Sequence, residues 1–237
     1  MQELRPPSDE GYRFPPEVIS HAVWRYCRFA LGYRDVEDLL AARGSVVAYA
    51  SSRQWCRKRG QRYAKALRRR RPRPGDQWHR DAVFIQITGR QHSLWRAVDQ
   101  DGAVRGILVP SRRDKRAAVQ FLRKLLSGLQ YVPRVLITDT HASYGVAERE
   151  MLPSVERRQH QRRNNRAEHA HQPTRARARR MRRCTSPGHA QRCRAASGPS
   201  AGHCRPRRHR RTAAAYRATR AERFQTWHEV TGTLAVA

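Results

Sequence analysis

The spacing of apolar positions changes along the chain, and each change marks an element. After Pro15 and Pro16, residues Val18, Ile19, Ala22, Val23, Tyr26, Phe29 and Ala30 recur at three- and four-residue steps. That spacing predicts an amphipathic helix, with Gly32 as its end. Val36, Leu39 and Leu40 predict a second helix over Tyr33 to Arg43, closed by Gly44. Trp55, Tyr63, Ala66 and Leu67 predict a third, from about Ser51 into Arg70. From Trp78 the period shortens to two: Asp81, Val83, Ile85 and Ile87 alternate with Ala82, Phe84 and Gln86. Thr88-Gly89-Arg90 reads as a turn. Ser93 to Val98 and Val104 to Val109 are further strands, joined by the hairpin signal Gln100-Asp101-Gly102. Ala117, Ala118, Phe121, Leu122, Leu125 and Leu126 return to helical spacing over Arg112 to Leu126, with Gly128 as the stop. The run Val135-Leu136-Ile137-Thr138 then reads as a short buried strand.

This order predicts an antiparallel meander, a crossover helix and a fourth strand. A right-handed crossover returns that strand parallel and beside the first. Both neighbouring strands carry a carboxylate, Asp81 on the first and Asp139 at the end of the fourth. Read alone, Asp139 is either the cap of a following turn or a ligand-holding group at the sheet's rim. On adjacent strands about 4.8 Å apart the two aspartates can face each other. A two-metal nuclease or polymerase site, with ions about 3.5–4 Å apart, needs that geometry. A third carboxylate is scarce: after residue 151 the acids are Glu156, Glu168, Glu222 and Glu229. Glu168 sits in a helix-permissive stretch and is either aimed at the aspartates or a solvated acid paired with Arg166 or His171. His169 and His171 beside it read as helix-surface or DNA-facing residues.

Composition adds the partner. Lys and Arg number 50 against 19 Asp and Glu, a formal charge of +31. A chain so basic needs a polyanion, and nucleic acid is the default. No apolar run is long enough to span a membrane. Residues 1–14 are polar and predict no secretory leader, and five irregularly placed cysteines predict reduced thiols and a cytoplasmic protein. Cys184, His189, Cys193, His203, Cys204 and His209 contain no tight Cys-x-x-Cys pair, so zinc is not expected.

The organisation expected is a lead-in over 1–14 and an all-α helix-turn-helix domain over 15–67. A basic linker over 68–76 leads to an α/β catalytic domain over 77–180, followed by a basic segment over 181–237. Arg53, Arg57, Lys58 and Arg62 on the third helix, with Arg59 beside them, are placed for a DNA groove. The competing reading is a three-helix bundle with a solvated basic face. Arg112, Arg113 and Lys115 are either DNA-backbone contacts or solvated helix residues.

Several stretches carry a resemblance: Phe14-Pro-Pro-Glu-Val-Ile-Ser-His, Trp55-Cys-Arg-Lys, Leu94-Trp-Arg-Ala-Val-Asp, Ser111-Arg-Arg-Asp-Lys-Arg-Ala-Ala, Gly128-Leu-Gln-Tyr-Val-Pro-Arg, Ile137-Thr-Asp, Asn164-Asn-Arg-Ala-Glu and His171-Gln-Pro-Thr-Arg. On these the chain resembles bacterial transposases of the insertion-sequence-six family, in the DDE superfamily with an integrase-like, RNase H-like core. The resemblance runs from about residue 14 to Gly232. It implies that Asp81, Asp139 and Glu168 form a catalytic triad holding two Mg²⁺ (or Mn²⁺) ions. It implies that the first domain binds the element's terminal inverted repeats. It further implies DNA cleavage and strand transfer into target DNA by a homo-oligomer in a synaptic complex.

The sequence also departs from the family pattern. Arg80 and Ala82 flank the first aspartate, where the family usually carries a carboxylate just after it. Thr140-His141-Ala142 replaces a lysine-bearing stretch, and Ser51-Ser52 a Thr-Ile pair. Cys184, Cys193 and Cys204 stand at aromatic positions, and Arg194, Arg210 and Arg211 at apolar ones. A buried Phe truncated to a small residue costs about 3–5 kcal/mol. The expectation is therefore a decaying copy with compromised C-terminal packing, and the alternative function is a catalytically inactive DNA-binding remnant.

Overall fold

A computed structural model describes residues 11–110, 112, 114–129, 131–138, 145–159, 165–180, 184–203 and 211–233. Among them are eight helices and five strands. They fall into two compact units, one of residues 72–194 and one of residues 1–71 with 195–237.

In the first-named unit a five-stranded sheet is built from β1 (Gln77–Ile87), β2 (Arg90–Asp99), β3 (Val104–Leu108), β4 (Val135–Thr138) and β5 (Glu156–Gln159), in the order β3-β2-β1-β4-β5. β1 pairs antiparallel with β2 through a two-residue turn, Ile87 opposite Arg90. Thr88 (φ 48°) and Gly89 (φ 79°) both take the left-handed backbone that such tight hairpins need. β2 and β3 are antiparallel, whereas β4 lies parallel to β1 and β5 parallel to β4. This is a mixed sheet with flanking helices, its first four strands arranged as the element order predicts; an RNase H-like core is what the family resemblance implies.

Period-two alternation sorts the β1 side chains onto two faces. Trp78, Trp95, Ala97, Leu108 and Leu136 pack with Phe121, Leu122 and Leu125 of α4 (Lys115–Leu129) and with Ala147 of α5 (Gly145–Met151). The Trp95 and Phe121 rings meet edge-on at 5.9 Å. On the other face Val83, Ile85, Ile87, Leu94, Ile107 and Val109 pack with Ala190 of α7 (Pro187–His203). α6 (Asn165–Arg180) also lies against β1 and β2. α4 runs through Gly128 to Leu129 rather than stopping there; glycine is tolerated in a final turn, where few hydrogen bonds depend on it.

The other unit holds α1 (Pro16–Arg28), α2 (Tyr33–Ala41), α3 (Tyr49–Arg69) and α8 (Ala213–Thr231). α1 ends at Arg28 because Phe29 turns extended (φ −106°, ψ 162°). The Gly32 amide donates to Asp35 Oδ2 at 2.7 Å and starts α2. Ile19, Val23, Val36, Leu40, Trp55, Tyr63, Leu67 and Trp227 are buried. Tyr63 and Trp227 meet edge-on at 5.6 Å, so α8 completes the core of the N-terminal helices. Within α7, Pro199 interrupts the hydrogen-bond ladder. No helix among the described residues is long and apolar enough to cross a membrane.

Candidate active site

The parallel register of β1 and β4 places Gln77 opposite Val135, Trp78 opposite Leu136, His79 opposite Ile137 and Arg80 opposite Thr138. Asp81 and Asp139 are the residues next in sequence after that last pair. Asp139 lies outside the described residues, as does Arg113. Glu168 falls on α6, and its side chain is outside those described.

Asp81 shares its face of the sheet with Arg96, its partner across the β1–β2 ladder. Its Oδ1 accepts the Ala82 amide at 2.7 Å. Its Oδ2 is 3.6 Å from Nε2 of His171, which comes from α6 and is fully buried. The expectation that His171 sits on a helix surface or faces DNA is thus corrected. Burial, reinforced by the Arg96 and Arg175 guanidiniums, pushes the His171 imidazole down to about 3 and keeps it neutral. Arg96 is likewise buried. Its Nη2 donates to Thr174 Oγ1 on α6 at 2.6 Å. Burial, then Arg194, lower its pKa to about 10, while Asp81 pulls it back up.

The buried neutral His171 gives a pH dependence with a definite sign. The unfolded imidazole takes up a proton near 6.5, whereas the folded one resists to about 3. Between those values the unfolded state binds more protons, so stability falls as pH falls, at up to about 1.4 kcal/mol per pH unit. The melting temperature of the protein is expected to drop more steeply from pH 6.5 to 4.5 than that of His171→Gln; parallel slopes would contradict the buried placement.

On the opposite face of β1, Arg80 Nη2 is 2.6 Å from Glu148 Oε1 on α5, and both side chains are buried. Burial lifts the Glu148 carboxyl above its ordinary range even though Arg80 and Arg157 pull it down. This ion pair anchors α5 to β1 at the residue before Asp81. Nothing in the charge pattern points to it.

The basic residues expected at DNA divide by exposure. Arg53, Arg57, Lys58 and Arg62 are exposed on α3 at steps of four, one and four. Arg59 does not belong with them: it is buried, with its guanidinium 5.1 Å from the Tyr12 ring centroid. Arg112 is exposed. Lys115 is exposed too, and its Nζ lies 2.5 Å from Glu150 Oε1. The exposed side of α4, with Lys115, Arg116, Gln120 and Arg123, lines an open basic recess.

Among the described residues no three His, Cys, Asp or Glu side chains gather closely enough to hold a metal. Asp81 itself fits a hard divalent cation. It is an oxygen donor one residue past the end of the β1–β4 pairing, its side chain is 13% exposed, and one of its oxygens is held by a backbone amide.

The family model of the DDE domain matches residues 75–212. The chain is 32% identical over 139 residues to the transposase for insertion sequence element IS257 in transposon Tn4003 of Staphylococcus aureus, covering 57% of this chain and 60% of that protein. It is 31% identical, with the same coverage, to the transposase for insertion sequence-like element IS431mec of Staphylococcus aureus strain Mu50. The match thus spans less than two thirds of these relatives. Among solved structures, the Mos1 transposase catalytic domain with raltegravir and Mg is similar at a TM-score of 0.40 and 13% identity, covering 74% of this chain and 95% of that one. The HTLV-2 integrase catalytic core domain in complex with magnesium is similar at 0.34 and 19%, covering 40% and 67%. With the family model spanning more than half its length, and with the insertion-sequence relatives agreeing, the chain belongs to the DDE-domain transposase family.

Proposed function

We propose that this protein is a DNA transposase that binds the terminal inverted repeats of an insertion sequence and catalyses metal-dependent strand cleavage and strand transfer. The observation that carries the reading is the β1–β4 register, which aligns the two strands up to the residues just before Asp81 and Asp139. α6, which bears position 168, lies against β1 and β2. In this reading Asp81, Asp139 and Glu168 hold two Mg²⁺ (or Mn²⁺) ions. Bound there, the ions supply Lewis-acid polarisation of the scissile phosphate and charge neutralisation at the attacking and leaving oxygens.

The chain's own residues do the rest. Asp81 has one oxygen held by the Ala82 amide and offers the other to an ion. Arg53, Arg57, Lys58 and Arg62 on α3 bind the repeat ends through a helix-turn-helix. Arg112, Arg113 and Lys115 hold DNA backbone, Lys115 exchanging Glu150 for phosphate. The positive excess offsets the repulsion between two DNA segments and makes binding fall steeply with salt. A homo-oligomer in the cytoplasm, assembled on paired ends and target DNA, completes the reading.

The test incubates purified protein with labelled DNA carrying the flanking inverted repeats and Mg²⁺ or Mn²⁺, beside Asp139→Asn. End-specific products lost in the variant support the transposase. End binding without products indicates the DNA-binding remnant, a reading favoured by Pro199 inside α7 and by the burial of Arg194 at an expected apolar position.

A further inference from the structure

A helix is ordinarily located on a sheet by apolar side chains that interdigitate with those below. α6 has no such set among its described side chains. Its buried members are His171, Thr174 and Arg177, all polar, at three-residue steps. One of them makes a directed hydrogen bond, Thr174 Oγ1 accepting from Arg96 Nη2 at 2.6 Å, while His171 packs beside Asp81 with Nε2 3.6 Å from Oδ2, beyond hydrogen-bond range. Arg96 stands directly across the ladder from Asp81, so both contacts converge on one rung of the sheet. Position 168 lies one turn N-terminal to His171 on the same helix. Apolar packing tolerates sliding by part of a side chain, whereas a guanidinium–hydroxyl hydrogen bond weakens within a few tenths of an ångström.

We propose that His171 and the Arg96–Thr174 pair are positioning residues, which fix helix α6 against the middle of strand β1 at Asp81 and thereby set the spacing between Asp81 and position 168. The inference rests on the reading of Asp81 and Glu168 as metal-holding carboxylates. It predicts that these buried contacts control ion affinity although none of them touches DNA. Removing partners that orient metal ligands typically costs about 10–100-fold in metal affinity.

Mn²⁺ binding to the full chain, followed by the electron paramagnetic resonance signal of free Mn²⁺, separates the possibilities. The comparison uses the unaltered protein, Asp81→Asn, Thr174→Val, Thr174→Ser and His171→Gln, all well below their melting temperatures. Thr174→Val keeps the volume and removes the hydroxyl; Thr174→Ser keeps the hydroxyl. The expected result is about 10-fold weaker Mn²⁺ binding in Thr174→Val, recovered in Thr174→Ser, with inverted-repeat binding unchanged in both. A merely structural role would lower the melting temperature and leave the Mn²⁺ affinity of the folded protein where it was. If Thr174→Val does not fold, His171→Gln carries the comparison. Unchanged Mn²⁺ affinity in the folded variants, with binding still lost in Asp81→Asn, would overturn the positioning role alone. If the unaltered protein binds Mn²⁺ no better than Asp81→Asn, the carboxylate reading falls and this inference with it.

Discussion

Replacing Asp81 by Asn is expected to abolish strand cleavage and joining, by about 10³-fold or more, while leaving inverted-repeat binding intact. The substitution is nearly isosteric. An Asn side-chain oxygen can still accept the Ala82 amide that Asp81 Oδ1 accepts now. The neighbouring His171 is neutral, so no ion pair is broken there. Arg96 keeps its Thr174 partner. What is lost, on the proposed reading, is the negative charge that would hold a divalent ion. Metal assistance of this kind is worth several kcal/mol in the transition state, and each 1.4 kcal/mol or so is tenfold in rate. The measurement is the yield of end-specific cleaved and joined DNA at saturating protein. Products from the Asn variant at anything near the original level would remove Asp81 from the site.

The second large effect is on stability. Glu148→Ala is expected to destabilise the residue 72–194 unit by about 3–5 kcal/mol, because it removes the carboxylate that faces the buried Arg80 charge. Against a total of about 5–15 kcal/mol for a domain, that brings the unit close to unfolding. The upward displacement of the Glu148 carboxyl says that burial outweighs the attraction of its arginines. The pair is therefore costly to break without being a strong net stabiliser. Replacing both partners together, Arg80→Leu with Glu148→Leu, is expected to recover most of the loss, as fills with apolar side chains often do. Chemical denaturation of the single and double variants reads both outcomes. A double variant no more stable than Glu148→Ala would show that the ion pair contributes more than shape and neutrality.

Much of this architecture is legible in the alternation and periodicity of the chain. Strands β1 to β4 and helix α4 follow from apolar spacing, because each buries one continuous face. The parallel return of β4 beside β1 follows from the handedness of crossovers. β5 escapes such reading: Glu156-Arg157-Arg158-Gln159 has no apolar member, and the strand is held by backbone pairing to β4 alone at the sheet's edge. The residues around Asp81 escape it for a different reason. Arg80, Arg96, Arg177 and Arg194 are all buried, in a chain where arginine is so frequent that position after position reads as solvated. His171 is lost in the same way among the basic residues of α6. Charge that is ordinary on a surface becomes informative only once a fold shows which of it has been taken inside.

The chain order of the two units carries a consequence for synthesis. The sheet unit is contiguous, residues 72–194, whereas the helical unit draws its members from both ends of the chain. A ribosome therefore releases a complete sheet unit while Tyr63 still lacks Trp227, its ring partner from α8. A premature stop or frameshift soon after residue 194 would spare the carboxylate-bearing strands and injure the N-terminal helices instead. Damage after residue 194 would be felt in helices α1 to α3.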